Sequence, residues 1–397
     1  MKYIKKLLIN TFFMTNTIPS KILIIYDYFI PAKKAGGIVR SIQNIISLFT
    51  DHCSFYIYTS AYDLGDSNIL PDVNTNKWVI LRDNIQVWYA TNNRRRELDL
   101  RSMIKDVEPA VVYINGIFTP DSVLYPLLAL KNTSIRTVIA PRGMLQEGAL
   151  QVKPIKKKFY LTLFKVLRLQ KGIIWHATDE QEAIDIKKNI GEQSSTILAY
   201  VAPNVIQLPL RHIEKNRNKL SLCFISLITA KKNLLGLFQI IASLNLSTNL
   251  ELDVYGPIKD KVYWEKCQEF VKKFSVNIRY RYLGAVAPEL ITETVSKYHA
   301  FILPTFGENF GHAIYEALNA GRPVLISNKT PWRKLSEQHA GLDISLEDTD
   351  KWIDAIYKFY YMDQEEFDNW CSGAQKVARN YVLKQDFFGQ YQRLFGL

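Results

Sequence analysis

The stretch PTFGENFGHAIYEALNAGRPVLIS, residues 304–327, decides how the second half of the chain is built. An apolar run over 300–304 leads into it and stops at Pro304. Residues 305–309 are turn material, with glycine and asparagine among them. From Phe310 and Gly311 the apolar positions recur at helical spacing to about 320, and 323–327 is again a short apolar run. Strand, turn, helix and strand in that order form a βαβ unit, which predicts two parallel strands. The stretch also holds two carboxylates. Glu308 lies in the turn, and Glu316 lies two helical turns further on, about 12 Å away by the rise per residue.

The same alternation extends in both directions. Strands are expected at 220–227, 250–255 and 277–283, with helices at 232–245, 259–274 and 288–298. Before them, 21–29, 53–60, 110–118, 135–141 and 172–178 are short runs rich in β-branched and aromatic residues. Amphipathic segments such as 38–50, 96–107 and 179–190 separate most of these runs, and 78–91 reads as further strand material. Apolar strands between helices predict parallel sheets covered on both faces. The segment PNVIQLPLRHIEKNRNK, 203–219, breaks the pattern with prolines and charge and reads as a linker. The expected fold class is therefore α/β, two doubly wound Rossmann-like domains facing across a cleft. The divisions expected are an extension over 1–20, a first domain over 21–203 and a second over 204–365. The tail, 366–397, is expected to be helical and to cross back to the first domain.

A chain of 397 residues with 48% apolar and 22% charged residues has the composition of packed globular domains. Its net charge of +12 predicts anionic partners, whether nucleotide phosphates, acidic lipids or nucleic acid. Cys53, Cys223, Cys267 and Cys371 are scattered, which argues against a disulfide framework or a zinc site and suits a reducing cytoplasm. No run of 18 apolar residues predicts a spanning helix. The basic and apolar start, MKYIKKLLINTFF, is interrupted at Asn10 and Thr11 and lacks a small-residue cleavage site, so it reads as an extension rather than a signal peptide.

In open α/β sheets ligands sit beyond the carboxyl ends of the strands, so the loops there are where chemistry is expected. Gly36 and Gly37 precede a helix, with Lys33, Lys34 and Arg40 nearby; glycines at a helix start let amides approach an anion, though such a pair more often serves turn geometry alone. Lys231 and Lys232 open a helix against its dipole, which a bound anion would offset; simple solvation of the two lysines remains open. The helix start at Phe310 and Gly311 suits a distal phosphate, and Glu308 and Glu316 suit the hydroxyls of a sugar and a ribose. From spacing alone, Glu308 as a helix cap and Glu316 as a solvated helix residue remain open. His176, at a strand end, reads equally as a ligand or a packing residue. Asp348-Thr349-Asp350 precedes a helix and reads as a cap rather than a metal site. The segment 153–171, KPIKKKFYLTLFKVLRLQK, has seven basic residues and no acid. It reads as an amphipathic helix that either lies on an acidic membrane or packs its apolar face on the core.

Glu308 and Glu316 with their surroundings resemble the Glu, seven residues, Glu pattern of family 4 glycosyltransferases, the large retaining group with the GT-B fold. SLITAKKNLLGLF (226–238), VYGP (254–257) and YLGAV (282–286) are similar to further segments of that family. KAGGIVRSI, APRGMLQEGAL and WHATDEQEA resemble a bacterial subgroup that builds surface polysaccharides. The resemblance covers roughly 21–345. It implies transfer of a sugar, with retention, from a nucleotide-sugar donor to a lipid-linked oligosaccharide acceptor, on the cytoplasmic side and in peripheral contact with acidic membrane lipids. It implies no metal or other cofactor and no nucleic acid.

Residue by residue, Glu308 would contact the donor sugar and Glu316 the ribose. The backbone of Phe310 and Gly311 would meet the distal phosphate, Lys232 would neutralise the diphosphate, and Gly37 would approach it from the other domain. Lys231, Gly256 and His176 complete the expected donor site. Arg142 would stand near the sugar where relatives carry a histidine; arginine does not titrate, so no acid–base role is expected of it. The family's phosphate-binding arginine falls on Leu227, leaving Lys231 or Arg142 to replace its charge. A GT-B epimerase or phosphorylase, or a basic membrane- or nucleic-acid-binding protein, are the alternatives.

Overall fold

A computed structural model describes residues 19–397 apart from 33, 35, 92–96, 206–208 and 246–249. The reading of the first residues as an extension, and the charge expected at Lys33, lie outside the described residues.

The first sheet contains β1 (Ser20–Ile25), β2 (Cys53–Ser60), β3 (Trp78–Arg82), β4 (Ile85–Ala90), β5 (Val111–Asn115), β6 (Arg136–Ala140), β7 (Ile173–Ala177) and β8 (Ser195–Leu198). Its spatial order is β3-β4-β2-β1-β5-β6-β7-β8, parallel throughout except for the β3–β4 pair. In the central strands β1 and β5, Ile22–Ile25 and Val111–Asn115 are all buried, most of them β-branched or leucine, as two covered faces require. Helices α1 (Gly37–Leu48), α2 (Glu97–Val107), α3 (Tyr125–Leu130), α4 (Glu147–Leu150), α5 (Pro154–Val166) and α6 (Glu180–Ile190) accompany this sheet, which has an apolar cluster on each face.

The second sheet runs β11-β10-β9-β12-β13-β14, all parallel, from β9 (Leu220–Ile225), β10 (Leu250–Tyr255), β11 (Ile278–Tyr282), β12 (Ala300–Leu303), β13 (Val324–Ser327) and β14 (Gly341–Ile344). With it come α7 (Leu234–Ala242), α8 (Lys261–Val271), α9 (Ile291–Val295), α10 (His312–Asn319), α11 (Thr349–Tyr361) and α12 (Gln364–Leu383). Asp348 caps α11, accepting from the Lys351 amide at 3.1 Å. The charged run after residue 209 is not loose. Lys215 is buried, and its ammonium donates to the carbonyls of Asn216, Tyr360 and Met362, so it satisfies the C-terminal end of α11.

The tail divides later than residue 366. Helix α12 packs with the second domain through Phe367, Trp370, Ala374 and Ala378. Only α13 (Phe387–Phe395) joins the first domain, placing Tyr391, Leu394 and Phe395 in the cluster with β1, β5 and α1. Arg136 donates from Nε and Nη2 to the Leu394 and Arg393 carbonyls, both at 3.0 Å, and so closes the helix end. Leu394 is fully buried, and Leu394→Ala is expected to cost about 3 kcal/mol of stability, measured by denaturant unfolding.

Candidate active site

Each sheet has one place where the strand order reverses: between β1 and β5 in the first, and between β9 and β12 in the second. Neighbouring loops leave such a point in opposite directions and open a crevice. In the second domain those are the loops after β9 and β12, and backbone bonds lock them together. Phe306 N donates to Lys231 O at 2.9 Å, and Thr305 Oγ1 donates to the same carbonyl. This junction brings together Lys231, Lys232, Glu308, Phe310 and Gly311.

Lys231 and Lys232 occupy a 3-10 turn, and α7 begins only at Leu234, after Asn233 in a left-handed conformation. Lys232 Nζ lies 2.5 Å from Glu308 Oε1, with both side chains largely shielded from water. The two groups assigned separately to phosphate and sugar are thus partners of each other, one cation and one anion at the same spot. Leu227, in the place of the family arginine, is the side chain nearest to Gly36; a Cβ on that glycine would sit 3.7 Å from it. The cations at this junction are Lys231 and Lys232.

Helix α10 starts at His312 after Gly311, whose φ of 79° suits glycine. It has no side-chain cap and no acid in its first turn, so no acidic group of its own start answers its first amides. The Phe310 side chain serves packing: it stands among Tyr315, Trp332 and Tyr381, and its carbonyl accepts from Trp332 Nε1 at 2.6 Å. Only its backbone is left for a ligand. Gly37 approaches from the first domain so closely that a Cβ would lie 3.1 Å from the His312 ring. Ser41 Oγ bonds His312 Nε2 at 2.9 Å.

Glu316 is buried, with burial pushing its pKa up to about 7 against the pull of Arg40. Arg40 Nη2 lies 2.7 Å from Glu316 Oε1, while Oε2 has no partner among the described residues. The solvated reading of Glu316 is thereby removed.

Three expected site residues have structural work of their own. His176 is fully buried, its Nδ1 paired with Tyr113 Oη and its Nε2 with the Ala199 carbonyl. Tyr391 of α13 packs on its ring, so it is an interior residue and not a donor ligand. Arg142 is also buried, donating to Asn115 Oδ1 at 3.0 Å and Tyr113 Oη at 2.8 Å. It braces the strand ends of the first sheet through these two bonds, while its buried Nη1 has no partner among the described residues and its charge acts on His312 at the start of α10. Gly256 is required by the chain itself, since a Cβ there would fall 1.7 Å from the Ser226 carbonyl.

Glu182 is the residue that sequence reasoning passed over. It lies inside WHATDEQEA, three positions after Asp179, which caps α6. That spacing is a capping-box signal. Its buried carboxylate accepts from the Gly143 and Thr178 amides at 2.6 and 2.9 Å, and from Thr178 Oγ1. Asn309 of the second domain reaches across to the same group, Nδ2 lying 2.7 Å from Thr178 Oγ1 and 3.2 Å from Glu182 Oε2.

Residues 210–376 match the family model described as glycosyl transferases group 1. A 111-residue stretch is 31% identical to the O-antigen chain mannosyltransferase B of Escherichia coli, covering 27% of this chain and 28% of that protein's length. Over nearly the whole chain the fold is similar to solved GT-B structures. Sucrose-phosphate synthase from Thermosynechococcus elongatus superposes with a TM-score of 0.73 at 13% identity, covering 95% of this chain and 99% of that one. WaaG, a glycosyltransferase involved in lipopolysaccharide biosynthesis, gives 0.64 at 14% identity, covering 94% and 98%. HepE of Anabaena, solved with UDP and glucose, gives 0.68 at 14% identity, also covering 94% and 98%. The chain thus has two α/β domains in the GT-B arrangement, and the match to the group 1 model falls on the second.

Glu182→Ala would strand the Gly143 and Thr178 amides and the Asn309 amide group. A loss of about 3 kcal/mol in unfolding free energy is expected, read by denaturant titration.

Proposed function

We propose that this chain is a retaining glycosyltransferase of the family 4 kind, moving a sugar from a nucleotide-sugar donor to a lipid-linked glycan acceptor in surface polysaccharide synthesis. The observation that carries the reading is the junction at the second switch point: the Lys232–Glu308 pair and the uncapped start of α10, with Glu316 two turns further along that helix. A diphosphate fits between the lysines and the helix-start amides, Glu308 faces the sugar, and Glu316 faces the ribose. HepE, bound to UDP and glucose in its crystals, lends the donor class, and the O-antigen mannosyltransferase and WaaG lend the pathway class.

In this reading the bond between the anomeric carbon and the phosphate oxygen breaks, and its electron pair leaves with the diphosphate. Lys232, Lys231 and the α10 amides stabilise that charge, the part a divalent cation would otherwise play. The acceptor hydroxyl bonds the anomeric carbon on the same face, and its proton passes to the departing phosphate. A covalent sugar–protein intermediate is not invoked; Glu308 is held by Lys232.

The first domain supplies the membrane side. Helix α5 buries Leu161 and Phe164, yet Ile155, Phe159, Leu163 and Val166 share its opposite face and are exposed by 84, 70, 42 and 70%. Lys156, Lys158 and Lys165 are exposed beside this stripe. An apolar stripe edged with lysine matches an anionic bilayer surface, where each basic group adds about 1 kcal/mol. No described helix is long and apolar enough to cross a membrane, and the contact in this reading is a peripheral one.

Thermal-shift titration with UDP-, GDP- and dTDP-sugars tests the donor site. One series is expected to raise Tm in wild type, unaffected by EDTA, and Glu316→Ala to abolish the shift. A shift that survives in Glu316→Ala removes the assignment, and sugar release without an acceptor product moves the protein to the epimerases.

Sedimentation with phosphatidylglycerol–phosphatidylcholine vesicles tests the membrane face. Phe159→Glu with Val166→Glu is expected to lower the bound fraction at least tenfold while leaving Tm unchanged, both residues being exposed. Equal binding by the variant would discard the membrane contact.

A further inference from the structure

Arg40 is the one charged residue of α1, and it stands in the first turn after Gly36 and Gly37. Its guanidinium leaves its own domain altogether. Nη2 bonds Glu316 Oε1 at 2.7 Å and Nη1 bonds the Pro288 carbonyl at 2.8 Å, both in the second domain. The Arg40 and Glu316 side chains keep only 12% and 4% of their exposure. A planar fork with two fixed acceptors has little freedom, so it sets the plane in which the carboxylate lies. The two carboxylate oxygens are thereby made unlike. Oε1 is committed to the first domain, while buried Oε2 has no partner among the described residues.

We infer that Arg40 is a donor-positioning residue lent by the first domain, which orients Glu316 so that Oε2 is the oxygen offered to the ribose hydroxyls. This rests on the donor reading above and adds to it a dependence on closure: the ribose subsite is whole only while α1 lies against α10. Nothing in the spacing of the two glutamates requires such a partner, and Arg40 touches the donor only through Glu316.

Ionisation separates this role from a plain brace between domains. The titratable and charged groups around Glu316 are few. Arg40 faces it from α1. On α10 itself stand Tyr315 and His312, the latter held well below its ordinary value by burial, then by Arg40 and Arg142. From α12, Tyr381 faces Tyr315. On α9, Glu293 is turned to Lys297 at the surface, and the 288–290 turn offers the Pro288 carbonyl, with Glu289 exposed. Burial raises the Glu316 pKa, and Arg40 alone among these lowers it. A carboxylate accepts from two hydroxyls only when ionised, so nucleotide affinity falls as pH drops through about 7. Removing Arg40 moves that fall to higher pH.

The test is calorimetric titration of the full chain from pH 5.5 to 8.5, with UDP, GDP and dTDP as probes. Arg40→Leu is expected to weaken the nucleotide that wild type binds by about tenfold at pH 7. The midpoint of the pH dependence is expected to rise by about one unit. Arg40→Lys, which keeps the charge but loses the fork, returns the midpoint and regains part of the affinity. If Arg40→Leu fails to fold, Arg40→Lys carries the test by its reduced affinity at an unmoved midpoint. An unmoved midpoint in Arg40→Leu, or tighter binding, overturns the role of Arg40 and leaves the donor site standing. Wild type that binds none of the probes, or Glu316→Gln that binds with the wild-type pH dependence, overturns the donor reading and this inference with it.

Discussion

The first turns of α1 and α10 meet at a distance that only small groups allow. Gly37 has no side chain to hold off the His312 ring, and Ser41 is short enough to bond it. A Cβ at Gly37 would sit 3.1 Å from the ring, which would have to give way slightly. From this contact follow the other bonds between domains: Arg40 to Glu316 and Pro288, Asn309 to Thr178 and Glu182, and Gln146 to the Glu308 carbonyl. At this seam stand a helix start, two lysines and two carboxylates, of which Glu308 is neutralised by Lys232 and Glu316 by Arg40.

Most of the two sheets was legible because their central strands are covered on both faces and leave unbroken apolar runs. The strands passed over are the outer ones, β8 and β14, with four residues each. STIL is half-exposed and GLDI contains a glycine and an aspartate, so neither carries the run that marks a buried strand. The expected helix over 288–298 shrinks to a 3-10 turn at Pro288 and the short α9, since proline fixes the turn's start.

The site was legible where one loop carries it and illegible where two domains share it. Glu308, Phe310, Gly311 and Glu316 lie within nine positions of each other, so their spacing could be read. The partner of Glu316 is Arg40, which no local pattern connects to it. His176 failed for a related reason. A strand end is expected to face a cleft, but the helix that covers this one is α13, drawn from the far end of the chain. Arg142 likewise stands beside the right loop, but Asn115 and Tyr113 hold its Nε and Nη2 and leave only Nη1 unpartnered among the described residues. Glu182 did carry a local sign, its distance from the cap Asp179, yet a capping signal says nothing of the loop and the second domain that the same carboxylate also holds.

Helix α13 also governs the order in which the molecule can be finished. Tyr391, Leu394 and Phe395 belong to the interior of a domain whose strands were made before residue 200. During synthesis that earlier half waits with part of its core unfilled, while the later half can already close around its own sheet. The lobe translated first is therefore completed last, and its final seal comes only when residue 395 clears the ribosome.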